Sequence, residues 1–142
     1  MRTALYAGTF NPFTIGHLSV LRRGLELFDR VVVCVGVNCA KGHARPDIEA
    51  LRDKLGAAGN VEVIEWEGLT VDAAAAMGAR WLLRGVRSVA DFEYERNLAD
   101  INRRIAGIET VILFAEPELA AVSSSTVREL QRFGRDVGDL IV

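Results

Sequence analysis

Short apolar runs alternate along the chain with longer stretches in which apolar residues recur every three or four positions. The runs are Ala4-Leu5-Tyr6-Ala7, Val31 to Val37, Val61-Glu62-Val63-Ile64, Trp81-Leu82-Leu83 and Val111-Ile112-Leu113-Phe114. Several lack the in-and-out alternation of a half-exposed strand, which suits strands of a parallel sheet covered on both faces. Helix candidates lie between them. Residues 15–28 set Leu18, Leu21, Leu25 and Phe28 on one face. Residues 47–55, 71–77, 92–105 and 126–133 are the others, the second of these enriched in alanine, the strongest helix former. The order βαβαβαβαβα predicts an α/β fold, a doubly wound five-stranded parallel sheet with right-handed crossovers. Ligands of such sheets bind beyond the carboxyl ends of the strands. The places to look are just after Ala7, Val37, Ile64, Leu83 and Phe114.

Composition narrows the classes. The 142 residues suit a single domain, 1–142, and half of them are hydrophobic, enough for a core without staples. A net charge of −2 and a pI of about 5.7 give no global basic field, so nucleic acid is not an expected partner. An anionic ligand must be held by a local site. Cys34 and Cys39 fit neither a redox nor a zinc pattern, and Cys34 lies in an apolar run, where a thiol acts as a small hydrophobe. The chain opens on a strand-like segment rather than a leader pattern, and Val31 to Val37 is too short to cross a bilayer. A cytoplasmic protein without a membrane partner is expected.

Three loops carry chemistry. The first, Gly8 to His17, leaves strand one and enters helix one. Gly8 permits close ligand approach, Thr9 offers a hydroxyl and an amide, Thr14 can cap the helix, and Gly16 leaves room over its first turn. His17 then projects from a helix N-terminus, which favours anions such as phosphates. A plain strand-to-helix turn would also place a histidine there; Gly8-Thr9 and Gly16 at this spacing tip the reading towards function. The second loop, Arg84-Gly85-Val86-Arg87, follows strand four, where arginines can grip phosphate in bidentate fashion. Glu95, about a turn into the next helix, would accept a hydrogen bond from a ligand or orient an arginine. The third loop, Val122 to Glu129, offers three serines at another helix N-terminus, with Thr126 and Glu129 spaced as a capping box.

Thr14-Ile15-Gly16-His17 resembles the T-x-G-H motif of the nucleotidyltransferase superfamily. The motif alone gives the superfamily and not the substrate. Together with Gly8-Thr9-Phe10, Arg84-Gly85-x-Arg87-x-x-x-Asp91-Phe92-Glu93-Tyr94-Glu95 and Ser123-Ser124-Ser125-x-Val127-x-Glu129, nearly the whole chain resembles the phosphopantetheine adenylyltransferase family. The resemblance implies a Rossmann-like fold and transfer of the adenylyl group of ATP to 4'-phosphopantetheine, giving dephospho-coenzyme A and pyrophosphate. It implies catalytic roles for His17, Lys41 and Arg84, with His17 stabilising the transition state. It places ATP on Thr9, Phe10, His17, Gly85, Val86, Arg87, Glu95, Leu119, Ala120, Ala121, Val122, Ser123, Ser124 and Ser125. It places phosphopantetheine on Thr9, Lys41, Thr70 and Arg84. It further implies a homohexamer and a possible feedback site for coenzyme A. Apolar residues on more than one face of 92–105 agree with an oligomer. No Asp/Glu cluster would cage a metal, so Mg²⁺ is expected to arrive with ATP. Two rivals stand beside this reading. Another small-molecule adenylyl- or cytidylyltransferase is opposed by the Arg84 to Glu95 stretch. A non-catalytic nucleotide-binding module is opposed by His17 together with Arg84 and Arg87.

Overall fold

The computed structural model describes residues 1–37 and 46–142. Five strands, β1 (Thr3–Gly8), β2 (Arg30–Gly36), β3 (Val61–Trp66), β4 (Trp81–Val86) and β5 (Glu109–Phe114), form one sheet in the order β3-β2-β1-β4-β5. Every pairing is parallel. The helices are α1 (Ile15–Leu27), α2 (Ile48–Leu55), α3 (Thr70–Ala76), α4 (Val89–Ala106) and α5 (Ser124–Arg132). The expected α/β architecture is therefore present, element for element. Because the order steps outward from β1 in both directions, the topological switch point lies between β1 and β4, where doubly wound sheets open a crevice.

The apolar runs divide by parity between two cores. Tyr6, Val31, Val33, Val35 and Leu83 face α1 and α2, meeting Val20, Leu21, Leu51 and Leu55. Leu5, Val32, Cys34 and Leu82 face α3, meeting Val71, Ala73 and Ala74. The central strands β1 and β2 are buried along nearly their full length; β3 and β5 lie at the edges and are only partly covered. Helix α1 lies close on β4. A Cβ on Gly24 would come within 2.5 Å of Leu83 Cδ2, and one on Gly85 within 2.9 Å of Val20 Cγ2.

Helix boundaries differ where capping chemistry has alternatives. Thr14 caps α1 as expected. The capping box expected of Thr126 and Glu129 does not set the start of α5. Ser123 is the cap, its hydroxyl accepting from the Thr126 N–H at 3.1 Å, and the helix starts one residue later. The upstream serine offers the same acceptor and lets Val127 fall into the core. Likewise α4 begins three residues before Phe92, capped by the Ser88 hydroxyl on the Asp91 N–H, and it ends at Gly107 in the left-handed conformation (φ 65°). Five apolar residues of α4 are exposed on the single chain: Val89, Phe92, Tyr94, Ile101 and Ile105.

Candidate active site

Two cavities open on opposite faces of the sheet at the carboxyl ends of β1 and β4. The first, about 280 Å³, is walled by the β1–α1 loop, His17, the Arg84 to Arg87 stretch and the segment before α5. The second, about 360 Å³, is walled by Cys34, Trp66, Leu69, Thr70, Leu82 and the α4 residues Tyr94, Leu98, Ala99 and Asn102. They share Ala7, Gly8, Thr9 and Arg84. The junction sits at the switch point, since Ala4 and Tyr6 of β1 pair with Trp81 and Leu83 of β4 just below it.

His17 is fixed at both ends of its hydrogen-bond reach. Its Nδ1 accepts from the Thr14 N–H at 3.0 Å, while its own N–H donates to the Thr14 hydroxyl at 3.3 Å. This is a capping box with histidine in the place usually held by a glutamate. An Nδ1 that accepts leaves the proton of the neutral ring on Nε2. The rings of Phe10 and Phe13 lie 5.0 and 5.2 Å from the imidazole, and that of Tyr6 lies 6.4 Å away. Burial in this aromatic nest, with Arg87 and Arg84 adding positive charge, lowers the His17 pKa to about 4. At neutral pH His17 is therefore an uncharged hydrogen-bond donor. Phe10 holds φ at 47°, a conformation that a residue with a side chain adopts only where its surroundings over-determine it. Of the first α1 amides, Ile15 donates to the Leu140 carbonyl. Gly16, in the first turn of α1, lines the first cavity.

Arg84 is clamped. Its Nε and Nη2 donate to the two Glu95 carboxylate oxygens at 2.8 and 2.7 Å, and its Nη1 donates to the Ala7 carbonyl. A guanidinium has five N–H donors, so two remain for a ligand among the described residues. Glu95 is buried, and its hydrogen bond and charge hold the Arg84 pKa up against the lowering effect of burial. Glu95 thus lies on the wall of the second cavity and orients Arg84, rather than lining the first. Arg87 is half exposed beside Asp91 and lines the first cavity.

The serine segment closes the first cavity from above. Ser124 donates to the Pro12 carbonyl at 2.7 Å, and Arg128 donates to the Asn11 carbonyl. Both side chains therefore tie α5 to the β1–α1 loop. Leu119, Val122, Ser123, Ser124 and Ser125 line the cavity; Ala120 and Ala121 are not on its wall. Thr9, Phe10, Gly85 and Val86 line it too. Thr70 starts α3 on the wall of the second cavity. Lys41 lies outside the described residues. Residues 5–130 match the cytidylyltransferase-like family model. The chain is 48% identical over 140 residues to the phosphopantetheine adenylyltransferase of Phocaeicola vulgatus, covering 96% of this chain and 93% of that protein. It is 44% identical over 144 residues to the one from Bacteroides thetaiotaomicron (99% and 95% covered). The one from Leuconostoc citreum is 42% identical over 139 residues (96% and 88% covered).

The chain belongs to the phosphopantetheine adenylyltransferase family. It is a nucleotidyltransferase, as the T-x-G-H motif led one to expect. Solved structures agree on the fold. A putative nicotinate-nucleotide adenylyltransferase from Vibrio parahaemolyticus superposes with a TM-score of 0.67 at 19% identity, covering 100% of this chain and 88% of that one. A bifunctional NMN adenylyltransferase/ADP ribose pyrophosphatase from Francisella tularensis gives 0.68 at 11% identity, covering 99% and 44%. Within this family member, the sequence motifs mark the first cavity well and the second poorly. Tyr6, Trp66, Tyr94, Leu98, Asn102 and Thr110 went unread. Three of these did carry a signal: Tyr94, Leu98 and Asn102 follow one another at helical spacing, one stripe of α4.

Proposed function

We propose that this chain joins the adenylyl group of ATP to 4'-phosphopantetheine, forming dephospho-coenzyme A and releasing pyrophosphate. The observation that carries the proposal is the meeting of two cavities at Thr9 and Arg84. One is suited to a nucleotide triphosphate and the other to a long acceptor. In the first, the Gly16 N–H, the neutral His17, Arg87 and the N-terminus of α5 are all donors that suit phosphate oxygens. In the second, Leu69, Leu98 and Ala99 give an apolar wall for the pantetheine arm, and Arg84 gives its phosphate an anchor at the junction.

The acceptor phosphate is the nucleophile. One of its oxygens attacks the α-phosphorus of ATP in line with the bridge to the β-phosphate. The new P–O bond forms as the bridge breaks, and its electron pair leaves on pyrophosphate. No enzyme-bound covalent intermediate is needed, so the protein's work is alignment and stabilisation of developing charge. His17 donates from Nε2 to that charge; Lys41 and Arg84 hold the attacking phosphate, and Thr9 serves both substrates. Among the described residues no group of three His, Cys, Asp or Glu side chains is placed to hold a metal. Mg²⁺ is expected to arrive on the ATP phosphates, where it would supply neutralising charge.

Three further expectations belong to this reading. The exposed apolar residues of α4 support a symmetric homohexamer. Coenzyme A, which contains the pantetheine arm, would compete for the second cavity. Among the described residues no helix is long and apolar enough to cross a membrane, which accords with a cytoplasmic enzyme. Pyrophosphate release with Mg-ATP tests the core of the reading. It is expected with 4'-phosphopantetheine and absent with pantetheine lacking the phosphate. Release with nicotinate mononucleotide alone would overturn the acceptor and leave the nucleotidyltransferase standing.

A further inference from the structure

Three successive carbonyls of the β1–α1 loop accept hydrogen bonds from much later in the chain. Arg128 donates to that of Asn11, Ser124 to that of Pro12 at 2.7 Å, and the Val142 N–H to that of Phe13 at 3.1 Å. The first two donors belong to α5. The third belongs to residues 137–142, which line neither cavity. Val137 is buried, and Val142 packs against the core beneath α1 and α2. Between them Ile141 pairs with Thr14 in an antiparallel bridge. On the far side of Thr14 the Ile15 N–H donates to the Leu140 carbonyl at 3.0 Å. Thr14, itself only 1% exposed, is thus held through the peptide units on both its sides.

The bond to Phe13 has the most direct consequence, because the Phe13 carbonyl and the Thr14 N–H are two edges of one planar peptide unit. Val142 grips the oxygen edge, while the N–H edge donates to His17 Nδ1 at 3.0 Å. A plane gripped at its oxygen cannot turn without breaking that bond, so its N–H stays aimed at Nδ1. The accepted bond also polarises the unit and strengthens the N–H as a donor. An Nδ1 that accepts carries no proton, which leaves the ring proton on Nε2. If the plane turned, Nδ1 would be free to take the proton, and molecules in that tautomer would lack the Nε2 donor. We infer that residues 140–142 are positioning residues for nucleotidyl transfer: their main chain fixes the peptide unit between Phe13 and Thr14, and through it the tautomer of His17. The inference rests on the donor role of His17 proposed above.

Val142→Pro in the full chain deletes the N–H, and Ile141, already extended in its bridge to Thr14, suits the position before a proline. Val142→Ala is the comparator, since it trims the side chain and keeps the N–H. Replacing Val142 by its α-hydroxy acid makes the same deletion with the side chain retained, and serves if the proline variant does not fold. Both readouts are taken at a temperature where every variant is folded. The ¹⁵N resonances of the His17 ring, at neutral pH without substrate, should show the Nε2–H tautomer in the wild type and in Val142→Ala. They should show a mixture of both tautomers once the N–H is gone. Turnover follows the fraction of molecules in the competent form, and losing one hydrogen bond shifts such a balance by up to about tenfold. The kcat should therefore fall roughly three- to tenfold below that of Val142→Ala, with the KM for ATP within about twofold. An unchanged tautomer after deletion of the N–H overturns the inference whatever happens to kcat, because the loss is then merely structural. A mixed tautomer with kcat unchanged overturns it from the other side: residues 140–142 set the ring, but His17 is not the donor.

Discussion

Substituting His17 by asparagine separates the two jobs that its ring does. The amide of an asparagine can occupy the place of Nδ1 and keep accepting from the Thr14 N–H, now 3.0 Å from the ring. It cannot reach the place of Nε2. The helix cap is therefore retained and the donor facing the first cavity is lost. A donor aimed at transition-state charge is worth about 3 kcal/mol, and each 1.36 kcal/mol is tenfold, so kcat should fall roughly 150-fold. Ground-state ATP keeps the Gly16 N–H, Arg87 and the α5 N-terminus, so its KM should change by no more than about threefold. Glutamine makes the converse change. It returns a donor near Nε2 but gives up the acceptor for Thr14, at a cost of about 1 kcal/mol in stability. His17→Gln should thus regain part of the turnover while melting lower than His17→Asn. The assay is pyrophosphate release with thermal denaturation alongside. His17→Asn retaining more than half of wild-type kcat would refute the catalytic role and leave His17 as a capping residue only.

The His17 pKa of about 4 lies below its ordinary value of 6.5, so the unfolded chain takes up a proton between those limits that the native state resists. Stability is accordingly full above pH 6.5 and falls as pH drops towards 4, by up to about 3 kcal/mol; His17→Asn should flatten that limb in urea titrations, and a ring resonance titrating near 6.5 in the ligand-free protein contradicts it. Gly24→Ala drives a methyl against the fully buried Leu83 and should cost about 1–3 kcal/mol by denaturant unfolding; an unchanged midpoint means that α1 can lift without penalty. Neutralising Arg84 should raise the acceptor KM tenfold or more and lower the melting temperature, because Glu95 is left buried and unpaired, whereas neutralising Arg87 should raise mainly the ATP KM at little cost in stability. Equal effects of both variants on both constants would defeat this division of labour.

The sheet was legible because its central runs are apolar on both faces, and the first cavity because its residues cluster in three short motifs at strand ends. The rule that ligands bind beyond the strands' carboxyl ends pointed to the loops that hold Thr9 and Arg84; that the two meet follows from the strand order, which sets β4 beside β1. Other features depend on tertiary contacts that spacing does not encode. In the sequence Glu95 is a residue able to orient an arginine, but that it grips Arg84 with both carboxylate oxygens, from a helix that starts three residues early at the Ser88 cap, shows only in the assembled structure. Ser124 and Arg128 tie down the β1–α1 loop, across more than 110 residues of chain. Trp66 and Thr110 look in the sequence like ordinary members of apolar strands. Only the parity of β3 and β5 in the assembled sheet turns them into one cavity. Lys41 lies outside the described residues, and its role in gripping the acceptor phosphate rests on family resemblance.

In the proposed reaction the acceptor's own phosphate attacks ATP where the two cavities meet. Mass spectrometry of a reaction run with 4'-phosphopantetheine whose phosphate oxygens carry ¹⁸O tests this most directly. The predicted product is dephospho-coenzyme A retaining every labelled oxygen, formed one-for-one with unlabelled pyrophosphate. Label appearing in pyrophosphate or free phosphate, or ATP consumed with no joined product, would contradict it.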